Sequence, residues 1–231
     1  INGIIVLPSN IGQLLTVVIV VVIINAVNFV DGLDGLAAGI VAISAAAFFG
    51  FSYLLAVENG FSRAGAPSLV TATIIGMCLG FLPHNFHKAK IFMGDSGSLI
   101  VGLFVCILAI KLIEFPSHKL NFFWLRVSKP IFVIAILAYP LLDTLRSFTI
   151  RTFKGISPFM ADRNHIHHKL LDNGYSHQKT AVVIYIFSIL NLLLALASYY
   201  LPFPTLSLIL IVVFSFGFLF TVIRLNGIRR A

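Results

Sequence analysis

Apolar residues come in long runs along this chain, parted by short polar breaks. From Gly12 to Ile24 only Gln13 and Thr16 are polar, and the run ends abruptly at "NAVNFVDGLDGLAAG", Asn25 to Gly39. A bilayer span needs ~20 mostly apolar residues. Seven stretches approach that, at about 11–27, 37–57, 68–84, 98–113, 130–148, 179–200 and 205–223, the fourth being short with soft borders. "LPFPT" at 201–205 predicts a tight turn between the last two, because neither proline has an N–H to give. The expected fold is all-α, a polytopic integral membrane helical bundle of about seven transmembrane helices forming one domain over 1–231.

Composition agrees. Only 10% of residues are charged, 59% are hydrophobic and the mean hydropathy is +1.02, whereas a soluble domain carries about 25% charge. The net charge of +8 then reads as a membrane-side bias rather than a nucleic-acid surface. Cys78 and Cys106 both lie in apolar runs and read as small buried hydrophobes without a disulfide framework.

Basic residues set the orientation. Alternate loops and the tail hold eleven of the sixteen Lys and Arg; the others hold Arg63, Lys111, Lys119, Arg126 and Lys129. The richer set is expected in the cytoplasm, with residues 1–10 outside. Three polar segments then share the inner face, as loops at about 28–36, 85–97 and 149–178. Six of the eight acids fall on or beside that face, which is the pattern of a site. "FPSHKLNFFWLR" at 115–126 reads as an outer aromatic belt.

Each polar motif has a plain alternative. Asn25, Asn28, Asp31 and Asp34 recur every three residues, so neighbours touch on a helix, and two adjacent carboxylates need a cation, backbone N–H groups or a basic partner to offset them. The plain reading is a helix end with Asp and Gly as caps. "KIFMGDSGS" (Lys90–Ser98) sets Asp95 in a Gly/Ser turn, which suits a hard cation such as Mg²⁺ or an N-cap of the fourth span. Asp143 lies inside the fifth span, with Arg146 in pairing reach; a structural pair is favoured over a supporting role in the site. "ADRNHIHHKLLDNG" clusters His165, His167 and His168 with Arg163 and Lys169. Zinc fits this spacing poorly, because i,i+2 does not align ligands on a helix. Polyphosphate binding by imidazole, guanidinium and ammonium groups fits better. His84 and His87 read as interfacial.

"NAVNFVDGLDGLAAG", "FMGDSGSL", "PLLDTLR" and "DRNHIHHKLL", in that order over residues about 20–180, resemble the polyprenyl-phosphate N-acetylhexosamine-1-phosphate transferases, glycosyltransferase family 4. The pattern is most like the bacterial undecaprenyl-phosphate N-acetylglucosamine-1-phosphate transferases; "HIHH" points away from the phospho-N-acetylmuramoyl-pentapeptide branch. The resemblance implies transfer of N-acetylhexosamine 1-phosphate, expected to be GlcNAc-1-phosphate, from a UDP-sugar to undecaprenyl phosphate. UMP would be released at the cytoplasmic face of the inner membrane, as the first step of a lipid-linked cell-surface glycan such as lipopolysaccharide or cell wall. It implies Mg²⁺, with Mn²⁺ as substitute. Asp95 would be a metal ligand and Asn28 would contact the metal or pyrophosphate. Asp31 and Asp34 would shape the nucleotide-sugar pocket, Asp34 near the uracil. His165, His167, His168 and Arg163, with Lys90, would hold phosphates or sugar. A homodimer is left open, and no nucleic acid is expected.

A lipid phosphate is tethered at headgroup depth and is largely ionised at neutral pH, its second pKa being about 6. The difficulty is bringing two anions together, which a divalent cation and a cationic cluster relieve. The sequence departs from the family in having no adjacent Asp-Asp pair and about seven spans against ten or eleven. The chain therefore reads as a C-terminal portion, inactive by itself. The rivals are an inactive truncated paralogue or nucleotide-sugar-binding membrane protein, and a transporter, ranked low because no two halves match.

Overall fold

The computed structural model describes residues 8–58, 60–115, 127–157, 163–197, 200–201 and 203–228. The helices run α1 (Ser9–Val30), α2 (Leu36–Val57), α3 (Gly65–Asn85, led in by a 3₁₀ turn at Ser62–Ala64), α4 (Gly94–Glu114), α5 (Lys129–Ile136), α6 (Ala138–Phe153), α7 (Ile166–Asp172), α8 (His177–Ala197) and α9 (Pro204–Ile228). There is no strand among the described residues. Among the described residues, six helices are long and apolar enough to cross a membrane, α1 to α4, α8 and α9. The protein is a multi-pass membrane helical bundle.

The expected fifth span, 130–148, is broken rather than continuous, and makes a seventh crossing if its two halves count as one span. It is a pair of helices, α5 and α6, meeting at a bend of 68°. Pro140 supplies the physical reason. It cannot donate to the carbonyl of Ile136, and its ring crowds that carbonyl, so the helix breaks at Leu137. The fourth span is longer than expected, because "GDSG" forms the first turn of α4 rather than a loop. The segment 149–178 likewise holds the end of α6 and the whole of α7. The aromatic belt from 116 onward, Arg229 and Arg230, and Pro202 of the predicted turn lie outside the described residues.

Helix α2 sits at the centre, packed on α3, α4 and α8, while α1 packs on α4 and α6, and α8 on α5 and α9. Lipid tails are as apolar as a core side chain, so close packing holds such helices together. The sequence provides it with small residues. Ala37, Ala38 and Ala45 of α2 are buried. A Cβ on Gly39 would lie 2.1 Å from Tyr185, and one on Gly102 would lie 3.0 Å from the Ile24 carbonyl oxygen, so α8 and α4 approach at backbone range. Cys78 and Cys106 are free and buried, as read from the sequence. Leu14, Val17 and Val213 face outward, more than half exposed, as lipid-facing residues do.

Alternate spans put the C-terminal ends of α1, α3, α6 and α9 at the same end of the bundle as the N-terminal ends of α2, α4 and α8. Hydrogen bonds stitch these ends together: Asn28 to Ser98, Gly35 to Asn85, and Asn173 to the Val222 carbonyl. An apolar floor of Val30, Leu33, Leu36, Tyr139, Ile166 and Leu170 lies beneath them. Helix α7 is fixed to that floor by the burial of Ile166 and Leu170.

Candidate active site

The polar site is built from the ends just described. Where Gly102 lets α4 close on α1, the Asn28 amide donates to Asp95 Oδ1 at 3.1 Å and to Ser98 Oγ at 2.7 Å. Helix α1 ends at Val30, and Asp31 turns toward the start of α4, where the Gly94 N–H donates to it. Burial pushes the Asp31 carboxyl up to about 6; the Gly94 bond opposes this, and the Asp95 charge adds to it. Two carboxylates and an amide thus converge at the start of α4, with Asp95 exposed. Asp95 is not a cap of α4, since no side chain caps that helix.

Asp34 faces another way. Its Oδ2 accepts from His87 Nδ1 at 3.1 Å and from the Ala89 N–H at 3.2 Å. His87 in turn stacks on His177, ring centroids 4.9 Å apart. The two aspartates that the sequence reading required to be offset are offset separately, one by a backbone N–H, the other by an imidazole. Gly35 permits the turn with φ +75°, and its N–H donates to Asn85 Oδ1 while its carbonyl accepts from the Tyr185 hydroxyl.

The three histidines at and just before the start of α7 have unequal settings. His165, just before the helix, is pinned. Its Nδ1 lies 2.6 Å from Asp143 Oδ2 and its Nε2 lies 3.4 Å from an Arg151 guanidinium nitrogen. Asp143 also accepts the Ile166 N–H, at 2.5 Å, and is fully buried. His165 is thus a positioning residue, both of its nitrogens engaged within the protein. His167 has neither nitrogen hydrogen-bonded among the described residues and is only 1% exposed. It sits against Gly32, where an added Cβ would lie 2.8 Å from its Nε2. That contact carries the histidine cluster onto the loop between Asp31 and Asp34. Burial pushes the His167 ring down to about 4, the Asp143 charge opposing and His168, His165 and His177 adding. It is a neutral imidazole at neutral pH. Burial lowers His168 too, and the nearby Arg163 charge adds to this. Arg163 is exposed beside it. Lys90 is exposed on the α3–α4 loop, and among the described residues no hydrogen bond or ion pair joins its side chain to the other candidates.

The family model for glycosyl transferase family 4 matches residues 1–113. The decaprenyl-phosphate N-acetylglucosaminephosphotransferase of Mycolicibacterium smegmatis is 38% identical over 188 residues, 80% of this chain and 46% of that protein. Over its first 113 residues the chain is similar to glycosyl transferase family 4. An undecaprenyl-phosphate alpha-N-acetylglucosaminyl 1-phosphate transferase of Yersinia pestis is 33% identical over 113 residues, 49% of this chain and 29% of that one. A phospho-N-acetylmuramoyl-pentapeptide-transferase of Caldicellulosiruptor bescii is 36% identical over 146 residues, 63% of this chain and 41% of that one. The match spans about half the length of the mycobacterial relative.

The donor set at the start of α4 is informative about metals. Asp31 and Asp95 are hard oxygen ligands side by side, and burial, with the Asp95 charge adding to it, holds the Asp31 carboxyl near 6; a small divalent cation would offset both. Asn28 turns its amide nitrogen toward Asp95, so it orients that carboxylate; a direct oxygen contact requires the amide to turn over. Several contributors escaped the sequence reading: Ser98, Asn85, Ser147 (Oγ 3.3 Å from His165 Nδ1), Arg151 and the His87–His177 pair. His87, read as interfacial, is bound into the site instead. For Asp143, only its cost inside a span hinted at a role, and its His165 partner lies twenty-two residues away.

Proposed function

We propose that the protein of which this chain forms part transfers N-acetylglucosamine 1-phosphate from UDP-N-acetylglucosamine to a polyprenyl phosphate at the cytoplasmic membrane face, releasing UMP. What carries the reading is the joining of two clusters that are distant in sequence. Asn28, Asp31 and Asp95 meet at α1 and α4, and His167 reaches the same loop at Gly32. Carboxylates for a divalent cation beside imidazole and guanidinium donors are what a pyrophosphate linkage and an attacking phosphate require.

Asp95 and Asp31 would hold Mg²⁺, or Mn²⁺ in its place, which supplies charge neutralisation on the phosphates when bound. Asn28 holds Asp95 in place through its amide. His167, neutral and buried, offers a preorganised N–H donor to a phosphate oxygen without bringing a charge of its own. Arg163, beside His168 at the exposed edge, supplies the positive charge there, and Lys90 extends it from the α3–α4 loop. Asp143 fixes the ring orientation of His165 and thereby the start of α7. The attacking lipid phosphate is already ionised, so positioning and electrostatics provide the catalysis.

The alternative is a protein that binds the nucleotide sugar at these residues without transferring it. One assay separates the two. Membranes containing the protein receive radiolabelled UDP-GlcNAc, polyprenyl phosphate and Mg²⁺. Label moving into the organic phase, and lost in Asp95→Asn, supports transfer. Donor binding with no lipid product supports the alternative.

A further inference from the structure

Among the described residues, one trio of His, Cys, Asp and Glu side chains brings ligand atoms within 4.8 Å of one another: Asp34, His87 and His177. It stands apart from the Asp31–Asp95 carboxylates and joins three separate elements. Asp34 lies on the α1–α2 loop, His87 on the loop after α3, and His177 opens α8. We propose that these three side chains form a second metal site, for a borderline divalent ion of the zinc class, which clips the two loops to the start of α8.

The donor chemistry decides the ion. Two imidazoles and one carboxylate suit zinc and its neighbours, whereas Mg²⁺ prefers oxygen alone. The geometry agrees. Zinc–nitrogen and zinc–oxygen bonds of about 2.0–2.2 Å put tetrahedral ligand atoms about 3.4 Å apart, and His87 Nδ1 and Asp34 Oδ2 already stand at 3.1 Å. The His177 ring is stacked at 30° on His87, so a side-chain rotation closes the remaining edges. A second observation points to a ligand: His177 Nδ1 is buried with no hydrogen-bond partner among the described residues. A buried ring nitrogen left unpaired is destabilising, and a bound ion removes that penalty. Three protein ligands leave a fourth position for water. The surroundings are already braced for the clip. The Ala89 N–H holds the Asp34 carboxylate, and the Gln178 amide donates to the His87 carbonyl at 3.4 Å.

The proposal does not rest on the transferase reading, and its test reads metal binding rather than turnover. Tag-free protein in detergent is stripped with a chelator and titrated with Co²⁺. One equivalent with visible d–d absorption, displaced by Zn²⁺, is expected for the wild type and for Asp95→Asn. His87→Gln and His177→Gln should lose the band while keeping wild-type helical circular dichroism; His87 is a third exposed, so its substitution leaves the core intact. Absence of a stoichiometric Co²⁺ band in the wild type overturns the proposal. So does its retention in both glutamine variants, or its loss in His167→Gln alone, which would place the ion among the α7 histidines.

Discussion

Gly32→Ala isolates the contact on which the site depends. Alanine fits the backbone at this position, but its Cβ would lie 2.8 Å from His167 Nε2 and 3.0 Å from Cε1. Ordinary contact begins at 3.4 Å, so the imidazole must retreat by 3.4 less 2.8, about 0.6 Å. It has little room, being 1% exposed with the His168 ring centred 4.3 Å away and the His165 ring 5.6 Å away. A displacement of 1 Å in a positioning group costs about 10²-fold in rate, so 0.6 Å corresponds to roughly 15-fold, or about 1.6 kcal/mol of transition-state stabilisation. Stability should hardly change, because the lower unfolded-state entropy of alanine offsets part of the crowding. The assay is transfer of radiolabelled GlcNAc-1-phosphate to polyprenyl phosphate by equal amounts of protein, with thermal unfolding measured alongside. Gly50→Ala, where an added Cβ meets nothing within 4 Å, is the control and should keep wild-type activity. If Gly32→Ala turns over at the wild-type rate, His167 is not placed against reacting groups by this loop.

Other outcomes are expected from the same geometry. Chelation with EDTA should stop transfer and added Mg²⁺ should restore it; activity persisting under full chelation would remove the cation from the mechanism. Asp143→Asn loses a charge-assisted bond to His165, worth about 1.5–3 kcal/mol, and should lower the melting temperature; an unchanged transition would mean that the pair contributes nothing net. Acid stability provides a signed test. Asp31 titrates near 6 in the fold against 3.8 ordinarily, so ionising it costs stability as pH rises from about 4 to 6. His167 titrates near 4 against 6.5, so stability is lost as pH falls from about 6.5 to 4. The two slopes oppose each other. Asp31→Asn should therefore steepen the acid loss of stability, and His167→Gln should reduce it, read as melting temperature between pH 4 and 7 in detergent. The same slope in both variants would refute these assignments.

The hydropathy pattern determined that the chain is a bundle of membrane-crossing helices, and with the parity of the loops it gathered six of the eight acids and most histidines at one end. Water and lipid sort side chains by polarity, and that sorting is written residue by residue. "GDSGS" shows where local reading ends: Asp95 was legible as a special carboxylate, but whether it capped a helix or faced a partner was not. The tertiary structure decided the rest. Asn28 meets Asp95 across 67 residues because Gly102 lets two helices close. Asp143 captures His165, and the sharp bend at Leu137 belongs to the span that leads to it. Three histidines within four positions, alike in sequence, were separated into an anchor, a buried neutral donor and a rim residue by what packed around them. Periodicity records which medium a side chain prefers. Which side chains meet depends on helix packing between elements far apart along the chain, and that leaves no repeating trace.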